Sequence, residues 1–202
     1  MKKWINRLVK MTFTSGEEPT FEVVNKIDDY ELREYETYMV ARVEVMGSFE
    51  AAGSNGFHIL ADYIGGNNRS KTKIDMTAPV AMSKDRDHYQ VEFTMPKKFK
   101  KGTLPEPNDA RVKIIEVPAQ CRAVYRYSAY WSEEDHLKHK NKLIGLLQEM
   151  KMTPIGETTF ARFHPPFIPS FLRHNEVWIE VKPDPKASPS TTPQSKLLKT
   201  QP

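Results

Sequence analysis

Six histidines, a single cysteine and one uncharged loop stiffened by prolines are the places where this chain could do chemistry. His136 and His139 stand three apart in a helix-like stretch, so they share one face. A metal centre would need a third ligand from a neighbouring element. The adjoining Glu134, Lys138 and Lys140 point instead to a solvated face. Cys121 lies in a strand-like run with no second cysteine in the chain, which favours a buried, inert thiol. The sequence holds no G-x-S-x-G, no H-E-x-x-H and no phosphate-cradling glycine loop. Gly65-Gly66-Asn67-Asn68 follows a helical pattern rather than opening one, which is the wrong end of the dipole for a phosphate. No nucleophile, base and orienting group can be assembled from these residues, so an enzyme is not expected.

Two features ask for a ligand or a packing reason. Gly53 and Gly56 sit inside a helical pattern, where each costs about 1 kcal/mol relative to alanine. Either the helix packs closely on a sheet there, or a planar ligand lies on a flat strip flanked by Phe57 and Ala61. The second feature is Phe163-His-Pro-Pro-Phe-Ile-Pro-Ser-Phe-Leu172, which is largely apolar and carries no charged residue. Its three prolines rule out an ordinary central strand or helix. Such a loop packs down or forms the lip of an apolar pocket. Arg173 follows directly, placed to meet an anionic group at the rim.

The elements that must carry these residues can be read from their periodicity. Phe21–Ile27 and Tyr30–Val45 read as strands, broken near Asp28-Asp29. A helix follows, capped by Ser48 and stopped by Gly65-Gly66, with Phe49, Ala52, Phe57, Leu60 and Ile64 at helical spacing. Tyr89–Met95, Val112–Val117 and Cys121–Tyr127 read as strands. Ser132 opens a second helix, with Asp135 in its first turn and Leu137, Ile144, Leu147 and Met150 as its apolar stripe. Phe160–Phe163 and Val177–Val181 complete the strands. A shift of 82 residues aligns Glu34 with Glu116, Ala41 with Ala123, Phe49 with Trp131 and Ile64 with Leu146. Element order and this weak repeat together predict an α+β domain of two pseudo-twofold-related halves, each helix covering part of a shared antiparallel sheet.

The ends differ from the body. Residues 1–20 read as an amphipathic and connector segment, 21–182 as the globular domain and 183–202 as a disordered tail with five prolines. The net charge of +4 comes from the ends; residues 11–181 hold 22 basic and 25 acidic side chains. A nucleic-acid binder would carry its basic excess on the folded body, so no nucleic-acid partner is expected. No run approaches the ~20 apolar residues of a membrane span. Asn6, Arg7 and Lys10 interrupt any secretory signal. Trp4, Ile5, Leu8 and Val9 on one side of residues 2–13 allow peripheral contact with a membrane surface. The expectation is a soluble, cytoplasmic monomer.

Several stretches resemble the signatures of the SOUL haem-binding family, in its bacterial and plant-like branch. They are Lys73-Ile-Asp-Met-Thr-Ala-Pro-Val80, Phe163-His-Pro-Pro-Phe167, Leu172-Arg-His-Asn-Glu-Val-Trp178, Tyr30-Glu-Leu-Arg-Glu-Tyr35, Phe57-x-x-Leu-x-x-Tyr-Ile-x-Gly-x-Asn68 and Leu104-Pro-x-Pro-Asn108. The resemblance implies a distorted antiparallel β-barrel of about eight strands with two flanking helices. It also implies non-enzymatic binding of haem or a related free porphyrin in an apolar surface groove, as carrier, buffer or sensor. Carried over by position, that groove takes Ser54, Phe57, His58, Ala61 and Asp62 from the first helix. From the loop it takes His164, Phe167, Ile168 and Phe171, with Arg173 beyond. Some relatives have a histidine considered an iron ligand where this chain has Glu34. His58 and His164 are the substitute candidates, and binding by stacking and apolar burial alone is the other reading. Ser54 and Asp62 stand where some relatives have basic groups, which leaves propionate pairing to Arg69, Lys71, Lys73 or Arg173. The architecture also resembles effector-binding domains of bacterial regulators, and the alternative is a pocket for another apolar small molecule.

Overall fold

The computed structural model describes residues 17–182; the amphipathic segment 2–13 and the proline-rich tail 183–202 lie outside them. The elements run β1 (Phe21–Ile27), β2 (Tyr30–Tyr35), β3 (Tyr38–Val45), α1 (Phe49–Gly65), β4 (Val80–Asp85), β5 (His88–Thr94), β6 (Lys113–Val117), β7 (Gln120–Tyr127), α2 (Glu133–Glu149), β8 (Pro154–Arg162) and β9 (Asn175–Val181). A short 3-10 turn at Ser170–Leu172 precedes β9. All strands join one antiparallel sheet in the order β1-β2-β7-β9-β8-β4-β5-β3-β6. The barrel expected from the resemblance is therefore an open sheet of nine strands, with β1 and β6 as its two edges.

That order repeats about its centre. Outward from the β8–β4 pairing it reads β4-β5-β3-β6 on one side and β8-β9-β7-β2 on the other, with β1 added last. The connection β3-α1-β4-β5 has its counterpart in β7-α2-β8-β9. The strands that begin each half are exchanged. β2 precedes β3 yet pairs with β7, and β6 precedes β7 yet pairs with β3.

Strand alternation divides the buried residues into two sets. Tyr30, Leu32, Ala41, Val43, Met82, Val91, Phe93, Ala123, Phe160, Val177 and Ile179 point to the side that both helices cover, forming one core with Phe49, Leu60, Leu143 and Leu147. The alternate positions Tyr35, Ala81, Val124, Ala161 and Trp178 pack on the opposite face with Phe163. α1 lies on β3 and β5, and α2 lies on β7, β8 and β9.

α1 forms where its caps predict. The Ser48 hydroxyl accepts from the Ala51 N–H at 3.3 Å, a contact worth about 1 kcal/mol at such a position. Gly66 ends the helix in the left-handed region at φ 117°. Gly56 is the point of closest approach to the sheet. A Cβ there would sit 2.5 Å from Val91 Cγ2, so close packing, not a ligand strip, explains it.

The second helix departs from its expected stripe. Its buried residues are His136, Leu143 and Leu147, while Leu137 is 47% exposed. His136 was expected in solvent; it is wholly buried because the Ser132 cap turns that face onto Phe49 and Phe160. β4 follows Pro79 directly and was not expected. β8 begins at Pro154, six residues before its apolar portion.

Candidate functional site

The proline-rich loop leaves β8 after Arg162 and returns at β9. Its fold is set from inside by Arg173, whose Nε donates to the Ile168 carbonyl at 2.7 Å and whose Nη2 donates to the Pro166 carbonyl. The expected free cation at the rim is thus a staple across the loop. Ile168 and His164 are buried, contrary to a role in lining an open groove. His164 Nδ1 accepts the His174 N–H at 3.0 Å, so the loop's own backbone occupies one imidazole nitrogen. Burial, and next the neighbouring His174, lower the proton affinity of His164. Phe167 and Phe171 instead turn outward, 73% and 74% exposed. Tyr130 is also exposed, its ring 5.6 Å from the Arg173 guanidinium.

On α1, Ser54, His58 and Asp62 form an exposed row one turn apart, and Phe57 and Ala61 are half-buried beside it. Phe57 packs on Phe93 with ring centroids 5.3 Å apart and meets His58 edge-on. Asp62 accepts from Asn67 at 2.5 Å, which ties the end of the row to the following turn.

The helix group and the loop group are held by different supports, and the segment between β7 and α2 bridges them. Ser128 donates to the Arg173 carbonyl at 2.7 Å, and Asn175 donates to the Ala129 carbonyl at 3.1 Å. Trp131 then reaches α1, where a Cβ at Gly53 would be 3.5 Å from its Nε1. Arg162 lies over the same indole, 4.8 Å from its centroid. Sequence reading missed Tyr130, Trp131 and Arg162. The available signal was Arg162 two residues after Phe160, a charge on the strand's helix-facing side.

Two concavities lie elsewhere. One of about 420 Å³ is bounded by Glu17, Glu36, Lys97 and Lys100, and one of about 450 Å³ lies between the β1–β2 turn and α2. Asp28, Asp29 and Glu149 edge the second, which disfavours an anionic ligand. Phe171 and Arg173 border a further cavity of about 300 Å³ with Lys26, Asp28 and Arg126.

The opposite sheet face holds a charge network built from the Tyr30–Tyr35 and Leu172–Trp178 stretches. Glu176, fully buried, accepts from Arg33 Nη1 and Nη2 at 3.0 and 2.9 Å. It also accepts from His174 Nε2 at 2.7 Å and Trp178 Nε1 at 2.6 Å. Burial alone would raise its pKa, but His174 and Arg33 together hold it down at about 2. Arg122 stacks on Trp178 and Tyr35, at 5.0 and 4.9 Å. Every acceptor of Glu176 is used, so this network braces the sheet.

The fold is an open antiparallel sheet with two helices on one face and an exposed aromatic loop. Residues 16–180 match the family described as SOUL heme-binding protein, and the chain belongs to that family. A Xenopus laevis protein named Heme-binding protein 1 is 27% identical over 157 residues, covering 74% of this chain and 82% of its own. Among solved structures, the EcmrR C-terminal domain matches with a TM-score of 0.60 at 9% identity, over 76% of this chain and 96% of that one. A hydrolase from Listeria innocua matches with a TM-score of 0.56 at 9% identity, over 76% and 92%. These structural matches are likenesses of fold.

Proposed function

We propose that the chain binds haem or a related tetrapyrrole without transforming it, on the surface formed by the outer row of α1, the Tyr130-Trp131 bridge and the aromatic loop. One observation carries this reading beside family membership. Phe167 and Phe171 are largely exposed on a loop whose Pro166 and Ile168 carbonyls are held by Arg173. Covering such a side chain gains about 1.5–3 kcal/mol, so an apolar, flat partner is the natural cover. Bound haem would bring its iron chemistry with it; these residues supply a platform and an edge. Of the two candidate imidazoles, His58 is exposed and His164 is buried and engaged. The loop and helix residues named from sequence remain in the reading, with His164 and Ile168 as supports beneath it.

Titrating the protein with hemin is expected to shift the Soret band, quench tryptophan emission through Trp131 and saturate at one ligand per chain. The double substitution Phe167→Ser with Phe171→Ser should weaken binding by roughly tenfold or more while leaving the melting temperature unchanged. No saturable change at micromolar hemin, or a larger thermal shift with an unrelated amphiphile, would overturn the tetrapyrrole reading in favour of a pocket for another apolar ligand.

A further inference from the structure

Arg162 is placed without a counter-charge. It ends β8, on the face covered by the helices, and its side chain is only partly exposed. Among the described residues its guanidinium meets the Trp131 ring and no carboxylate or carbonyl. A second cation adds to the imbalance. Burial first, and the Arg173 charge next, lower the proton affinity of Arg162. Partly buried arginines ordinarily find an acidic or carbonyl partner, because five N–H donors lose water there.

Two further polar atoms nearby lack partners. Asn175 faces Arg162 across the β8–β9 ladder, and its buried Oδ1 accepts no hydrogen bond. His136 packs on Trp131 at 4.3 Å between centroids, and its buried Nε2 has no partner either. Its other nitrogen meets the Tyr127 hydroxyl. Gly53 lets Trp131 lie against α1, a Cβ there being in ordinary contact with the indole at 3.5 Å. Trp131 thus stands between Arg162 and Gly53 of α1.

We infer that Arg162, backed by Trp131, is a carboxylate-binding subsite that takes an acidic substituent of a flat, otherwise apolar ligand. The inference rests on the binding surface proposed above and gives it an anchor. A planar ligand lying against Phe167, Phe171 and the α1 row would present its edge to Arg162. The planar guanidinium, held flat by the indole, offers paired N–H groups to two carboxylate oxygens.

The test compares hemin with hemin dimethyl ester on the wild type, Arg162→Gln and Arg162→Lys. Wild type should prefer hemin over the ester by roughly ten- to hundredfold, and Arg162→Gln should bind the two alike. Arg162→Lys should restore part of the preference, because the charge survives and the planar fork does not. Melting temperatures of the free variants show whether each is folded. Should Arg162→Gln unfold, the preference of wild type and Arg162→Lys decides alone. Equal binding of hemin and ester by the wild type, or an unaltered preference in Arg162→Gln, overturns the subsite and leaves the tetrapyrrole surface standing. A wild type that binds neither ligand overturns the surface and the subsite with it.

Discussion

Glu176 and His136 are buried residues whose protonation couples to stability. The Glu176 carboxylate satisfies Arg33, His174 and Trp178 at once, so Glu176→Gln removes the buried one of the two carboxylates on Arg33 and leaves it Glu31. A loss of about 3–5 kcal/mol in chemical denaturation is expected, as for other broken buried pairs. His136 acts in the opposite sense, being buried neutral. Burial, then the charges of His139 and Arg162, lower its pKa from 6.5 to about 3. Both shifts give the same sign in pH. The unfolded chain binds more protons than the folded one, so stability falls as pH falls. For His136 the loss starts below about 6.5 and continues toward about 3; Glu176 adds its share below 4.5, continuing toward about 2. His164, also shifted down, contributes to the upper part. His136→Phe should therefore flatten the stability curve between pH 6.5 and 4.5, measured by denaturant midpoints at each pH. An unchanged slope would assign that window to other groups.

At the level of elements, the close approach of α1 to β5 gives a paired prediction. Gly56→Ala forces a Cβ onto Val91 at 2.5 Å and should cost about 1–3 kcal/mol. Gly53→Ala meets only ordinary contacts at 3.5 Å and gains helix propensity, so its melting temperature should stay the same or rise. The two glycines looked alike in sequence because spacing alone cannot say which one faces a sheet. Caps were legible, since Ser48, Gly66 and Ser132 act through neighbours only a few residues away. Strands lacking a long apolar run were not. Pro79 and the charged end Lys84-Asp85 hid β4, and Pro154, Gly156 and the threonines hid the start of β8. The aromatic loop was recognisable from its prolines, but which phenylalanine or isoleucine turned inward depended on the Arg173 staple. His136 and Arg162 escaped for the same reason: their environment is made by residues from distant parts of the chain.

For the whole molecule, the sheet order explains why neither half can bury its face without the other. α1 and α2 share a core through Phe49, which touches Trp131 and His136 of the second half. No helix among the described residues is long and apolar enough to cross a membrane. The candidate site inherits this arrangement, with its helix row in the first half and its loop, bridge and Arg162 in the second. The exchanged strands also impose a timetable on synthesis. Once residue 117 has emerged, β3 to β6 with α1 have all their partners within that sheet side except β8. β2, made earlier, has only β1 until residues 120–127 appear, because Tyr30 must meet Tyr125 and Tyr35 must meet Gln120. The β1–β2 hairpin thus waits for β7 before its second edge is paired. Meanwhile it presents an unpaired strand edge to the crowded cell, where such edges seek other partners.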